Sequence, residues 1–313
     1  MGVCQRIKVI GVKVLVTGGT VFASRFCAEY FLKKGHDVYV INRGTKPQSA
    51  GVNLIECDRH SLGDRLKNLY FDLVLDVTAY NEYDVKALVS ALGDYGRYIL
   101  ISSSAVYPET LKVPFNEGQE CGANKFWGDY GLNKLAAERY LLNNSDNCYI
   151  IRPPYLYGPM NNLYREAFVF ECAERDMPFY TPGDGKMPFQ FFYIGDLCRF
   201  VEALVGKAPA RKIFNVGNSE TVTVEQWVRM CYRVLGGSPE IRYIKGHDTW
   251  NYFCFRDYGY CLDVAEQGRL MPDTKLLEEG LIKSYEWFKD NRELIRRKDY
   301  FKYISDNFEG GEI

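Results

Sequence analysis

A tyrosine four residues ahead of a lysine is a pattern that can move protons, and this chain carries it three times, as Tyr30/Lys34, Tyr130/Lys134 and Tyr285/Lys289. Residues four apart share one face of a helix. An ammonium beside a phenol lowers its pKa towards neutrality and makes it a usable general acid or base. With 24 tyrosines in the chain, spacing alone selects none of the three. Context selects Tyr130, because it follows Ile101-Ser102-Ser103-Ser104-Ala105-Val106-Tyr107, whose serines stand at the end of an apolar run. A strand-end serine can hydrogen-bond the same substrate oxygen as the tyrosine. Tyr30 reads as packing or surface on the first helix, and Tyr285, near Trp287 and Phe288, as core.

A second chemical feature is the turn Thr17-Gly18-Gly19-Thr20-Val21-Phe22-Ala23-Ser24. It joins an apolar strand to a helical pattern, so its backbone N–H groups and the helix N-terminus would face a pyrophosphate. An ordinary strand-to-helix turn is the alternative. Asn42-Arg43-Gly44 falls 24 positions after Gly18, where an acidic residue would bind the ribose 2′-hydroxyl of NAD. Arg43, with Lys46, suits a 2′-phosphate instead and favours NADP, unless Arg43 is simply a surface arginine. Asp58 either accepts from an adenine amino group or caps the turn that follows.

Other chemistries lack their residues. The three histidines, His36, His60 and His247, are not at metal-ligand spacing from one another or from a cysteine, so no metal site is expected. The ten cysteines hold no CxxC pair and read as reduced, mostly buried thiols. No GxSxG elbow supports a serine hydrolase. A formal charge of −1 argues against broad attraction to nucleic acid or membranes. No apolar run approaches the roughly 18 residues of a spanning helix. The start, Met1-Gly2-Val3-Cys4-Gln5-Arg6, lacks a signal-peptide core and a myristoylation hydroxyl, so a cytoplasmic protein is expected.

The elements that must position these residues alternate. Strands are expected at 12–16, 37–41, 54–56, 71–76, 98–101 and 148–151, with helices at about 22–34, 82–92 and 130–142. Such alternation predicts an α/β fold, a Rossmann-type doubly wound parallel sheet covered on both faces. With 47% hydrophobic residues, 313 residues exceed one compact core. Residues 1–160 are expected to form the dinucleotide-binding domain, with a return segment near 190–217, and 161–313 a smaller substrate-binding lobe. Further helices are expected near 164–175, 195–205 and 224–235. The tail from Trp287 to Asp306 reads as an amphipathic helix whose Arg292, Arg296, Arg297 and Lys298 form a solvated face.

Taken together, Thr17-Gly18-Gly19-Thr20, the serine run to Tyr107, Tyr130 with Lys134, Arg152-Pro153-Pro154-Tyr155-Leu156-Tyr157-Gly158-Pro159, Tyr193-Ile194-Gly195-Asp196-Leu197 and Phe214-Asn215-Val216-Gly217 resemble the extended short-chain dehydrogenase/reductases of the NAD-dependent epimerase/dehydratase family. The resemblance implies hydride exchange between nicotinamide and a carbinol or keto carbon of a sugar, usually nucleotide-linked. It implies Ser103 (or its neighbour Ser104), Tyr130 and Lys134 as catalytic residues, Lys134 also holding the nicotinamide ribose. It implies a dinucleotide, NADP or NAD, on Gly18, Gly19, Thr20, Val21, Phe22, Asn42, Arg43, Asp58, Thr78, Ala79, Tyr80, Ser102, Pro153 and Tyr155. Ser104, Tyr80, Tyr155, Arg165 and Arg256 would meet the substrate. Many relatives dimerise through helices matching 82–92 and 130–142, so a homodimer is expected by analogy.

The chain departs from the family pattern in three places. Val21 and Ser24 stand where motif glycines are usual, so the turn must be reshaped for close pyrophosphate approach. Phe189 and Gln190 replace an Arg-Asp pair, removing an arginine that would hold a diphosphate; Arg165, Arg256 or Arg269 would have to replace it. Ser104 and Ala105 stand where dehydratases carry Asp-Glu, which disfavours 4,6-dehydration. Gln190-Phe191 and Asn42-Arg43-Gly44 are more similar to a subgroup related to chloroplast stem-loop-binding proteins, some of which bind RNA. An epimerase or reductase is therefore the leading expectation, and an RNA-binding protein or an NAD(P)-sensing regulator on the same fold the alternative.

Overall fold

The computed structural model describes residues 11–309, so the Met1–Arg6 start and Cys4 lie outside the described residues. Its first half runs β1 (Lys13–Thr17), α1 (Phe22–Lys33), β2 (Asp37–Asn42), β3 (Asn53–Glu56), β4 (Phe71–Asp76), α2 (Glu82–Ala91), β5 (Tyr95–Ile101), α3 (Asp129–Asn144) and β6 (Cys148–Arg152). Alternation along each strand decides which helices it meets. Val14 and Val16 of β1 join Val38, Val40, Leu73, Leu75, Ile99 and Ile101 on the face covered by Cys27, Ala28 and Phe31 of α1. Leu15 points to the opposite face, with Ile41, Val74, Leu100 and Ile150, beneath Val85 and Leu88 of α2 and Ala137 and Leu141 of α3. A sheet buried on both sides has to be mostly apolar throughout, which is what the strand sequences read.

The second half runs β7 (Tyr155–Tyr157), α4 (Glu166–Glu174), β8 (Phe179–Pro182), β9 (Pro188–Phe189), β10 (Phe191–Tyr193), α5 (Ile194–Lys207), β11 (Ile213–Asn215), β12 (Val222–Thr223), α6 (Val224–Val234), β13 (Ile241–Ile244), α7 (Ala265–Leu270), α8 (Leu277–Asp290) and α9 (Tyr300–Ile304). Strand β11 returns to the main sheet, which is parallel throughout with the order β11-β6-β5-β4-β1-β2-β3. This is the Rossmann-type sheet expected from the sequence. The order reverses between β1 and β4, and the crevice at the carboxyl ends of those strands is where such sheets bind ligands. The remaining strands pair as β7–β10, β9–β12 and β8–β13. Around them Phe189, Phe191, Trp227, Phe253 and Phe255 pack ring against ring.

The tail corrects one expectation. Residues 287–306 are not one amphipathic helix: α8 stops at Asp290, a short 3-10 turn spans Arg292–Leu294, and α9 begins only at Tyr300. The break has a cause. Arg296 gives its backbone N–H to Asn162 at 2.9 Å. Arg292 pairs with Glu174 and Arg297 with Glu171 of α4, at 2.5 and 2.6 Å. Arg292 and Arg297 thus anchor the chain to α4, while Arg296 and Lys298 stay exposed.

Two local features position α3 against the sheet. A Cβ on Gly131 would stand 2.2 Å from the carbonyl oxygen of Ala105, so only glycine lets α3 lie this close to the turn after β5. Further along α3, buried Glu138 accepts from the Arg152 guanidinium at 3.0 and 2.5 Å and from the hydroxyl of Ser102. Arg152 also donates to Tyr107 Oη at 2.9 Å, and Tyr107 donates to Asn215 Oδ1 at 2.8 Å. One buried polar network thus joins α3, β5, β6 and β11.

Replacing Glu138 by Leu strands the Arg152 charge in the interior, an error worth about 3–5 kcal/mol. The urea midpoint should fall accordingly; a shift equivalent to less than about 1 kcal/mol would show that the network is not structural. Gly131→Ala should cost about 1–3 kcal/mol through overpacking and should also weaken dinucleotide binding, measured by titration, because α3 must move. A variant as stable and as tightly binding as the parent would refute the close-approach argument.

Candidate active site

The glycine turn is built for an anion. Gly18 and Gly19 both have φ of +90°, a conformation that disfavours side chains, and a Cβ on Gly19 would stand 2.5 Å from Val40 Cγ1. Helix α1 starts after Val21 with no side-chain cap and no acidic residue in its first turn. Its first N–H groups therefore lack intrahelical partners and point to the crevice with the positive end of the helix. The two departures are absorbed locally. Val21 is extended (φ −139°, ψ 137°), and Ser24 turns its hydroxyl inward to Val21 O at 3.0 Å. Phe22 takes a positive φ of 33° to enter the helix. The turn is reshaped, and its N-terminal donors remain suited to a diphosphate.

Residues around this turn divide into braces and free groups. Asn42 braces it, donating to Gly18 O at 2.7 Å and to Gln48 at 2.9 Å. Arg43 is exposed and has no ion pair among the described residues. Asp58 accepts from the His60 N–H at 2.8 Å, the capping alternative of its two readings. A carboxylate that the second strand lacks stands beside it: a Cβ on Gly44 would lie 2.7 Å from the carboxyl carbon of Glu56.

Below the turn, Asp76 is fully buried. It accepts from Thr17 at 2.7 Å, from Tyr98 at 2.6 Å and from both terminal nitrogens of Arg59, at 3.2 and 3.0 Å. Burial alone would raise the Asp76 pKa, but Arg59 and these donors hold it below the usual carboxylate range. Arg59 also donates to Thr78 Oγ1 at 3.1 Å, so Thr78 serves as part of the wall. Its methyl group closes on Gly18, where a Cβ would stand 2.9 Å away.

Ser103, Tyr130 and Lys134 come together at the carboxyl end of β5. Lys134 is buried, and its ammonium donates to Ala79 O at 2.6 Å and Ile101 O at 2.9 Å. An ammonium has three donors, which leaves one for a ribose hydroxyl. Burial lowers the Lys134 pKa to about 8. Tyr80 lies over this charge, its ring centre 5.3 Å from Nζ, while the Tyr130 ring centre is 6.0 Å away. Ser103 Oγ accepts from Ala105 N at 3.1 Å and faces the Tyr130 phenol. The expected lowering of the phenol's pKa by Lys134 is corrected here. Burial raises the Tyr130 pKa, and the opposing influences are the Ser103 hydroxyl and the Arg165 charge. Lys134 spends its hydrogen bonds on backbone carbonyls, so Tyr130 is a neutral phenol, a proton donor.

The other expected residues are scattered in role. Ser102 is used inside the protein, its hydroxyl on Glu138, so its side chain does not serve a dinucleotide. Ser104 is buried and bonded to Tyr260 at 2.8 Å, which leaves Ser103 as the serine beside the phenol. The carbonyl of Pro153 accepts from Ser104 N at 3.0 Å. Tyr155 is buried with an unpartnered hydroxyl, beneath the Arg165 guanidinium at 5.1 Å. Arg256 lies over Trp127 and Trp250, whereas Arg269 is paired with Glu266 at 2.6 Å and is not available. Phe189 is packed into the aromatic core. Gln190 holds Leu262 N at 2.8 Å and Asn218 O at 2.8 Å. Sequence reasoning missed Gly131, Arg59, Asp76 and Glu56. The close approach of Gly131 carries no sequence signal, but a lone acid ending a buried strand, as Asp76 does, is one.

The comparisons agree with this geometry. Residues 14–217 match the model of the NAD dependent epimerase/dehydratase family. Among curated proteins, the chain is 28% identical over 302 residues to the chloroplast stem-loop binding protein of 41 kDa b of Arabidopsis thaliana, covering 87% of this chain and 78% of that one. It is also 28% identical over 268 residues to the UDP-glucose 4-epimerase of Corynebacterium glutamicum, covering 72% and 80%. Among solved structures, the fold is similar to an epimerase from Methanothermobacter thermautotrophicus (TM-score 0.74, 20% identity, covering 92% of this chain and 95% of that one). It is similar also to the Thermotoga maritima UDP-glucose 4-epimerase with UDP-glucose (TM-score 0.72, 20% identity, covering 90% and 99%). With its glycine turn, strand-end serine and Tyr130/Lys134 pair on this sheet, the chain belongs to the NAD-dependent epimerase/dehydratase family.

Proposed function

We propose that the protein is an NAD(P)-dependent epimerase or reductase acting at a carbinol or keto carbon of a sugar. The observation that carries this reading is the convergence of Ser103, Tyr130 and the buried Lys134 ammonium at the strand ends that also carry the uncapped α1 N-terminus. Within the described residues, the part up to residue 160, with the return segment near 190–217, forms the dinucleotide half, and the rest is mainly the substrate lobe. The dinucleotide supplies or accepts the hydride when bound. Gly18, Gly19 and the first N–H groups of α1 hold its diphosphate, and the free donor of Lys134 takes a ribose hydroxyl. Tyr130, neutral at pH 7, gives its proton to a keto oxygen, and Ser103 orients that oxygen. In the reverse direction Tyr130 takes the proton back. Arg43, exposed at the end of β2, favours NADP, while Glu56 beside Gly44 is the acceptor that NAD would use.

Tyr130→Phe should cut turnover of a sugar substrate at least a thousandfold, beyond the 10²–10⁴ range only if Ser103 also fails, with dinucleotide affinity within about twofold of the parent. Unchanged turnover would sink the reading. Arg43→Ala should weaken NADP at least tenfold and leave NAD unchanged; equal NADP affinity in both proteins would assign the site to NAD. Lys134 works as an ammonium, so kcat/KM should fall as pH rises through about 8. A profile flat to pH 10 would contradict that role.

A further inference from the structure

The buried Lys134 ammonium needs carbonyl oxygens facing it, and its two acceptors are held in different ways. Ile101 ends β5, where the sheet fixes its carbonyl. Ala79 belongs to residues 77–81, which join β4 to α2 without regular structure. No helix or sheet ladder aims that carbonyl, so other groups must hold the segment.

The hold comes from both sides of Ala79. Before it, the N–H groups of Val77 and Thr78 donate to Thr17 Oγ1 at 3.0 and 3.1 Å. After it, the N–H groups of Tyr80 and Asn81 donate to Asp84 Oδ2 at 2.6 and 3.2 Å. One side chain bridges the two braces. Arg59 donates to both oxygens of Asp76, at 3.2 and 3.0 Å, and to Thr78 Oγ1 at 3.1 Å. On the other side it donates to the backbone oxygen of Asp84 at 2.8 Å, with its Nε 3.7 Å from the Asp84 carboxylate. A planar fork of fixed donors can serve both sides at once, which a compact ammonium cannot.

The charges facing Lys134 give this brace a measurable sign. Burial lowers the Lys134 pKa to about 8; Asp76 of β4, Glu138 of α3 and Asp84 of α2 oppose that fall, while the Arg59 charge adds to it. The rings of Tyr80 and Tyr130 also face the ammonium. As a charge, then, Arg59 disfavours the ammonium. As a brace that aims an acceptor at it, Arg59 favours the same ammonium.

We propose that Arg59 is a positioning residue for Lys134: by bracing residues 77–81 on both sides of Ala79, it keeps the Ala79 carbonyl on Nζ and the remaining Nζ donor towards the ligand crevice. The use of that donor for a ribose hydroxyl rests on the proposed function, but the brace itself does not. Arg59 acts only through Lys134 and touches no reacting group.

Arg59→Lys tests this, because it keeps the charge and loses the fork. Lys134 is titrated in the dinucleotide-free full chain by heteronuclear NMR of labelled lysine side chains, its signal assigned from Lys134→Met. The parent midpoint should lie near pH 8. Arg59→Lys should lower it by roughly half a unit to one unit, up to the weight of one hydrogen bond to a charged group. An unchanged or raised midpoint overturns the proposal. Should Arg59→Lys not fold, Thr78→Val takes its place, since it keeps every charge and loses only the hydroxyl that receives Arg59. A double-mutant cycle on NAD or NADP affinity gives a second reading. Arg59→Lys should weaken the dinucleotide about tenfold in the parent and leave it unchanged in the Lys134→Met background. Equal losses in both backgrounds would show a structural effect elsewhere and overturn the route through Lys134. A parent that binds neither dinucleotide contradicts the proposed function, and the titration then decides the role of Arg59 by itself.

Discussion

A charged amine inside the protein, with no ion-pair partner among the described residues, is the constraint around which the rest is arranged. Lys134 gives two of its hydrogens to backbone carbonyls at the ends of two neighbouring chain segments, Ala79 after β4 and Ile101 ending β5. A buried ammonium without acceptors would be strongly unfavourable. So α3 must keep its second turn against these strand ends, and Gly131 supplies the close approach that makes this possible. Tyr130, one helical turn before Lys134, is then placed next to Ser103. The tyrosine's position is a consequence of where the lysine can be satisfied.

The floor beneath this arrangement consists of two buried polar networks. One runs from Thr17 through Asp76 to Arg59 and Tyr98; the other from Ser102 through Glu138 and Arg152 to Tyr107 and Asn215. Each locks neighbouring strand ends in register at the edge where the ligand crevice opens. Buried networks of this kind hold side chains in one geometry, which is what hydride and proton transfer between positioned groups require. Placing the Tyr130 hydroxyl against Ser103 at the strand ends, where burial raises its pKa, has a chemical consequence. The phenol stays protonated, which suits it to donate to a carbonyl.

Much of this was legible in the sequence where it rested on periodicity or on spacing. Strand–helix alternation located the six strands of the first half because a two-faced parallel sheet needs continuous apolar runs, and Tyr130/Lys134 was selected by the serine run before it. What could not be read depended on pairing across distance. Ser102 looks as available as Ser103 until Glu138 is found beneath it. Two of the tail's arginines, Arg292 and Arg297, look solvated until Glu174 and Glu171 are placed opposite them. Likewise Arg165 and Arg256 stand 91 positions apart in the chain, and only folding brings both charges within reach of Lys298. The effect of Lys134 on the phenol was misjudged for a related reason: helical spacing gives proximity, not the direction in which an amine spends its hydrogen bonds.

The central claim is that one crevice holds the dinucleotide by the α1 N-terminus and Lys134 and presents Tyr130 to the reacting carbon. A crystal structure of the protein with bound NAD or NADP tests it most directly. The account predicts the diphosphate on the first N–H groups of α1 and a nicotinamide-ribose hydroxyl within hydrogen-bond distance of Lys134 Nζ. Electron density placing the nicotinamide ribose away from Lys134, or the diphosphate away from α1, would contradict it.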